Sequence, residues 1–212
     1  MVYYILKGLL KQGDVNMDFD ESTLFNIMEE IVHRRDIKIS DIPDIELYMD
    51  QVTTFIDNKL GYNKRVLKDK ILTKTMINNY TKSKILLPSK NKRYNRQHMI
   101  LLILIYYLKQ ILSISDINLL FTPLFKNINS FKDGADYLEN LYNAFIEVKE
   151  NSADDLKKIL SQKLDLIDEK TEKLPLESKE TSKILLTVLM LVATAAIQKR
   201  IAEKIIDDYL VK

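Results

Sequence analysis

Residues Ile71 to Leu120 read ILTKTMINNYTKSKILLPSKNKRYNRQHMILLILIYYLKQILSISDINLL, and the order of signals in this stretch decides the fold. Thr73 is placed to cap a helix, because its hydroxyl can accept from a free amide of the first turn. Met76, Ile77 and Tyr80 then share one face at helical spacing, and Ile85 and Leu86 continue inward after the helix ends. The opposite face carries Thr75, Asn78, Asn79 and Lys82. Pro88 cannot continue a helix, and Ser89 to Tyr94 offers a tight polar turn with three cations, Lys90, Lys92 and Arg93. Asn95 caps a second, nearly all-apolar helix through Met99, Leu102, Ile103, Tyr106 and Leu108.

Charge gathers on the same stretch. From Lys64 to Lys109 there are twelve basic residues and one acid, Asp69, a net +11 in a chain whose total is +2, which leaves −9 elsewhere. A near-neutral chain that concentrates its cations on one helical unit has the footprint of a polyanion binder. The polar stripe suits a major groove: asparagine pairs with the adenine edge, a threonine methyl touches thymine, and lysine meets phosphate or guanine. A basic loop directly after such a helix is the winged helix-turn-helix arrangement, in which the wing grips phosphates. The common alternative for a polar stripe is a solvated helix face.

Thr75 to Pro88 resembles the recognition helix and exit of the MerR-type regulators, with Tyr80, Ile85, Leu86 and Pro88 on matching positions and Tyr94-Asn95 opening the next helix. Ser113 to Ile117 is similar to the segment that opens the helix after that. The wider stretch, roughly Ile42 to Lys149, resembles an uncharacterised bacterial family of unknown function through Ile42–Val52, Met76–Tyr80 and Leu108–Ile117. The resemblance implies a recognition helix over 73–84, a basic wing over 88–94, and duplex DNA as partner. Thr75, Asn78, Asn79, Lys82, Lys90, Lys92, Arg93 and Arg96 are the expected DNA contacts. Three features depart from the MerR pattern. The wing has no glycine, Lys92 stands where arginine is typical, and the connection Gly61 to Leu72 is long. The chain has no cysteine, which excludes metal or thiol sensing of the MerR kind.

Around this unit the pattern predicts helices throughout. The chain has 212 residues, 46% of them hydrophobic, with four glycines and four prolines, a helix-rich composition long enough for a real core. Met1 to Gln12 has no basic leader and no small-residue cleavage site, so a short helix or edge segment is expected rather than a secretory signal. Gly13 to Asn16 reads as a turn, Glu21 to Arg34 as a helix, and His33-Arg34-Arg35-Asp36 as its cationic C-terminus. Asp44 is expected to cap a helix that runs to Gly61 and buries Ile45, Tyr48, Met49, Val52, Phe55 and Ile56. Beyond the basic unit, helices are expected over Ser115–Phe125, ended near Pro123, over Asp133–Glu150, and over Ala153–Lys173. His98, in the first turn of an apolar helix, is expected at the surface or on a backbone phosphate.

Ile184 to Ile197 is a run of 14 uncharged residues, shorter than the about 20 that span a bilayer. It is expected to be the buried central helix of a C-terminal bundle or the seam of a homodimer, and no membrane contact is expected. The fold class is all-α: a MerR-like winged helix-turn-helix unit with flanking helices and a C-terminal helical bundle. Residues 1–41 form a helical extension, 42–125 the unit, and 126–212 the bundle. No phosphate-binding glycine loop, Ser-His-Asp grouping or metal-spaced histidine pair occurs, so no catalytic residue, metal or cofactor is expected. The function expected is a cytoplasmic, sequence-specific DNA-binding transcriptional regulator. The alternative is a helical protein–protein interaction or RNA-binding module without sequence-specific readout.

Overall fold

The computed structural model describes residues 19–32, 36–66, 68–130 and 134–211. The expectations for Met1–Gln12, Gly13–Asn16 and His33–Arg35 lie outside these residues. The described chain is mostly helical, with one two-stranded ladder. The first helix, α1 (Glu21–Val32), begins at Asp20, whose carboxylate accepts from the Thr23 amide and hydroxyl and from the Ser22 hydroxyl, each at 2.8 Å. These hydrogen bonds, the Thr23 amide first, hold the Asp20 carboxyl down at about 2.

The segment after α1 does not enter a helix at Asp44. Leu47–Tyr48 forms β1, which pairs antiparallel with β2 (Arg93–Tyr94), Leu47 opposite Tyr94 and Tyr48 opposite Arg93. Helix α2 starts only at Met49 and runs to Leu60, and the Gln51 side chain accepts the Tyr48 amide at 2.8 Å. The ladder draws the chain extended, so Ile45 and Tyr48, expected inside, are exposed, while Val52, Ile56 and Leu60 fill the buried face. Helix α3 (Lys74–Lys82) follows the long connection, then the β2 segment, then α4 (Arg96–Lys109). Residues Met99 to Ile103 of α4 are all buried, because the helix passes through the middle of the core.

Two breaks expected from the sequence are absent. Helix α5 (Ile114–Ser130) runs straight through Pro123. A helix-interior proline removes one backbone hydrogen bond and crowds the turn before it, and Ile117, Phe121, Leu124 and Ile128, buried on both sides, hold the helix together. Helix α6 (Gly134–Thr171) is one continuous rod where two helices were expected. Nothing in Glu150-Asn151-Ser152 excludes helical geometry, and the Ser152 hydroxyl is satisfied by the Val148 carbonyl at 2.7 Å. Gly134 is required at the start of α6, where a Cβ would run into the main-chain carbonyl of Ile128. After Pro175 the chain turns back as α7 (Leu176–Tyr209).

One core extends from Ile37 to Ile146 and takes in Ile206 of α7, and a small second cluster joins Leu24 and Met28 of α1 to Leu160 and Leu164 of α6. A polar node ties α4 and α6 to the segment before β1. The Asp36 carboxylate receives Lys149 Nζ at 2.7 and 2.8 Å and the Tyr107 hydroxyl at 2.6 Å, while the Tyr142 hydroxyl donates to the Ile37 carbonyl at 2.6 Å. Burial first, and the Asp36 acceptor second, push the Tyr107 hydroxyl far above its ordinary value, so it stays a donor.

The expectation that Ile184–Ile197 is buried within its own chain is overturned. Of this run only Thr187 is buried, while Leu185, Val188, Leu189, Val192 and Ile197 are each more than half exposed. Helix α7 is held through Thr187 and Met190 in its first half and through Ile206 near its C-terminus, and the residues from Leu191 to Ile201 are exposed. Among the described residues it is also the one helix long and apolar enough to cross a membrane by length and composition.

Candidate nucleic-acid interface

Helix α3 is defined at both ends by local chemistry. The Thr73 hydroxyl accepts the Met76 amide at 3.2 Å, closing the N-terminus as the sequence suggested. At the C-terminus the Ile85 amide reaches the Tyr80 carbonyl at 3.0 Å and the Lys84 amide reaches the Thr81 carbonyl at 3.0 Å, a Schellman closure. That closure needs a left-handed residue, and Lys84 supplies it with φ 57°. The Asn118 side-chain amide on α5 donates to the Ser83 carbonyl at 3.0 Å and fixes the exit. Ile77 and Tyr80 are buried, which turns Thr75, Asn78, Asn79 and Lys82 outward. All four are exposed, and their side chains make no hydrogen bond or ion pair within the described chain.

The turn after Pro88 is a two-residue hairpin loop. The Arg93 amide donates to the Lys90 carbonyl at 2.9 Å, Lys90 bridges Arg93, and the two central residues, Asn91 and Lys92, have φ 51° and 60°. Positive φ at both central positions is the requirement of a type I′ turn, whose twist matches that of the strands it joins. Glycine is the usual second residue, and here lysine holds the position. Left-handed geometry costs a side-chain-bearing residue roughly 1–2 kcal/mol, while glycine's extra chain entropy costs about 0.5–1 kcal/mol. Lys92→Gly is therefore expected to raise stability by up to about 1.5 kcal/mol in urea unfolding, and a lowered midpoint would contradict the turn geometry.

The two arginines of the expected contact set are held differently from the lysines. The Arg93 guanidinium lies 5.3 Å from the centre of the Tyr48 ring, donates to the Tyr48 hydroxyl at 3.2 Å, and sits 3.8 Å from Glu46. Arg96 is part-buried between Asp44 at 3.4 Å, Glu139 at 3.7 Å and the Ile42 carbonyl at 3.4 Å. Both therefore brace the ladder and the start of α4. Lys64 pairs with Asp57 at 2.7 Å, and Lys74 pairs with Asp50. Four of the twelve cations counted in the sequence are thus compensated by acids from outside α3 and the hairpin turn. Lys82, Lys84, Lys90 and Lys92 are exposed without an ion pair among the described residues.

Residues 37–145 match the model of a family described as a domain of unknown function, DUF1836. The chain belongs to the DUF1836 family. No curated protein and no solved structure matches it. The matched DUF1836 span begins and ends within one residue of the stretch from Ile37 to Ile146 that builds the main core, and it holds α3, the hairpin turn and, of the Asp36 node, Ile37, Tyr107 and Tyr142, while Asp36 and Lys149 lie outside it.

His98 corrects one expectation within the DUF1836 span. It is buried, with Nδ1 3.2 Å from the Asn95 amide, Nε2 3.3 Å from the Pro88 carbonyl, and its ring edge-on to Tyr94. The imidazole locks the hairpin exit to α4, and burial holds it below its ordinary pKa, hence neutral. Sequence reasoning also missed Glu46, Tyr48 and Glu139 as partners of the arginines. Those contacts depend on the ladder and on α6, and no local signal announces them.

Proposed function

We propose that this chain is a sequence-specific duplex-DNA-binding regulator with a MerR-like winged helix-turn-helix, in which α3 enters the major groove and the hairpin turn carries lysines to the phosphates. The observation that supports the reading most is the outward row of α3: Thr75, Asn78, Asn79 and Lys82 have no hydrogen-bond or ion-pair partner among the described residues. A second observation points the same way. All three non-glycine residues with positive φ among those described, Lys84, Asn91 and Lys92, flank this row. Backbone strain concentrates where function needs it, and two of these three positions keep a lysine where glycine would be easier. The order strand, helix, helix, turn, strand, helix also fits the winged arrangement.

Phosphate contacts set affinity and base contacts set sequence preference. Lys90→Ala together with Lys92→Ala is expected to weaken binding to every duplex alike. The slope of log affinity against log salt should fall by roughly 0.9 per lost contact, nearly two for the pair. Titrations of wild type and variant between about 50 and 200 mM salt measure this. An unchanged slope would take the turn out of the interface. Arg93→Ala and Arg96→Ala are expected to act first on stability, since both side chains are engaged within the fold.

A further inference from the structure

The middle of α7 presents an apolar stripe that the described residues leave bare. At 100° per residue, Leu185, Val188, Leu189, Val192, Ala195 and Ala196 fall in one sector, roughly opposite the buried Thr187. From Ile184 to Val192 exposure follows that geometry. Leu185, Val188, Leu189 and Val192 are 51–61% exposed, whereas the flanking Ile184, Leu186 and Leu191 are 36–41% exposed. The stripe offers on the order of 500 Å² per chain, so a two-fold pairing would bury about 1,000 Å², the threshold for a specific interface.

We infer that this stripe is the seam of an antiparallel homodimer, with the two-fold axis passing between Met190 and Leu191. The sequence is self-complementary about that point. Leu189 then lies opposite Val192 of the second copy, and the bulky Leu185 opposite the small Ala196, which lets large and small side chains interdigitate. At the ends of the seam, Thr181 and Ser182 face Arg200 and Lys199, and Ser178 faces Glu203, so no like charges meet. A parallel pairing would set Lys199 and Glu203 each against its own copy. A bilayer is the poorer occupant. The uncharged stretch Ile184–Gln198 rises only about 22 Å as a helix against a hydrocarbon core of about 30 Å. Its flank is also fastened to the protein, with Lys183 paired to Asp168 at 2.7 Å and Ile206 in the core. The dimer does not rest on the nucleic-acid reading, and its test needs no DNA.

The chain has no cysteine, so single cysteines report the register on a clean background. Sedimentation of the full chain at about 10–100 µM is expected to show a dimer. Leu189→Asp is expected to weaken it at least tenfold with helix content unchanged by circular dichroism, because Leu189 is exposed in the single chain. Val192→Cys should cross-link to its own copy under mild oxidation. Leu185→Cys should not, since 11 residues of axial offset hold its two copies about 16 Å apart, beyond the about 7 Å a disulfide spans. A monomeric wild type would overturn the proposal, as would a Leu189→Asp chain that stays dimeric and folded. Cross-linking at both cysteines would overturn the antiparallel register. Flotation of wild type with phosphatidylglycerol–phosphatidylethanolamine vesicles would assign the stripe to a membrane instead.

Discussion

Asp36→Ala is expected to destabilise the protein by about 3 kcal/mol, the low end of what breaking a buried ion pair costs. The Asp36 side chain is 6% exposed and accepts from both Lys149 and Tyr107, so its removal strands a charge and a buried hydroxyl at once. Lys149 is 38% exposed and can partly rehydrate, which keeps the loss from reaching the upper end of about 5 kcal/mol. Asp36→Asn retains an acceptor for Tyr107 and should lose about half as much. Tyr107→Phe, which leaves the ion pair intact, should cost about 1–2 kcal/mol as one hydrogen bond. Urea unfolding of the three variants checks the order. Asp36→Ala within about 0.5 kcal/mol of wild type would show that α4 and α6 are not joined to the segment before β1 through this node.

The second large effect belongs to α3. Asn79 stands exposed on the outward row, and a bidentate pair between asparagine and adenine is worth about 1–3 kcal/mol against the wrong base. Asn79→Ala should therefore cut the preference for a selected duplex by about tenfold or more, while weak binding to unrelated duplexes changes little, because phosphate contacts supply the latter. Equal losses on selected and unrelated duplexes would place Asn79 outside the base-reading surface. Loss of a protein or RNA partner with no change on any duplex would favour the interaction-module alternative.

How far the sequence could be read follows from the range of each interaction. Thr73 and Asn95 were legible as caps because a cap is satisfied within three residues, and the distances to Met76 and His98, both 3.2 Å, bear this out. Ile77 and Tyr80 were legible as the inward face of α3 because helical spacing fixes it. Ile45 and Tyr48 were not, since a two-residue ladder depends on Arg93 and Tyr94, 45 residues on, and local propensity carries no trace of that partner. The same holds for charge. The count over Lys64–Lys109 is correct as a count, yet Glu46 and Asp44 approach Arg93 and Arg96 only once the ladder has formed. Pro123 and Asn151-Ser152 misled in the opposite direction: buried Phe121 and Leu124 outweigh the cost of the proline, and neither Asn151 nor Ser152 excludes helical geometry. In α7 the apolar run was plain to see, but apolarity does not say which surface covers it, and the described chain leaves Leu185, Val188 and Val192 bare.

Direct readout by α3 is tested most simply by selecting genomic fragments bound by the 212-residue chain and then competing the selected duplex against a scrambled one of equal length and composition at fixed salt. The account predicts a preference of about 10³ or more, the usual separation of specific from non-specific binding. A preference of about twofold or less for every selected duplex would contradict it, whatever the absolute affinity.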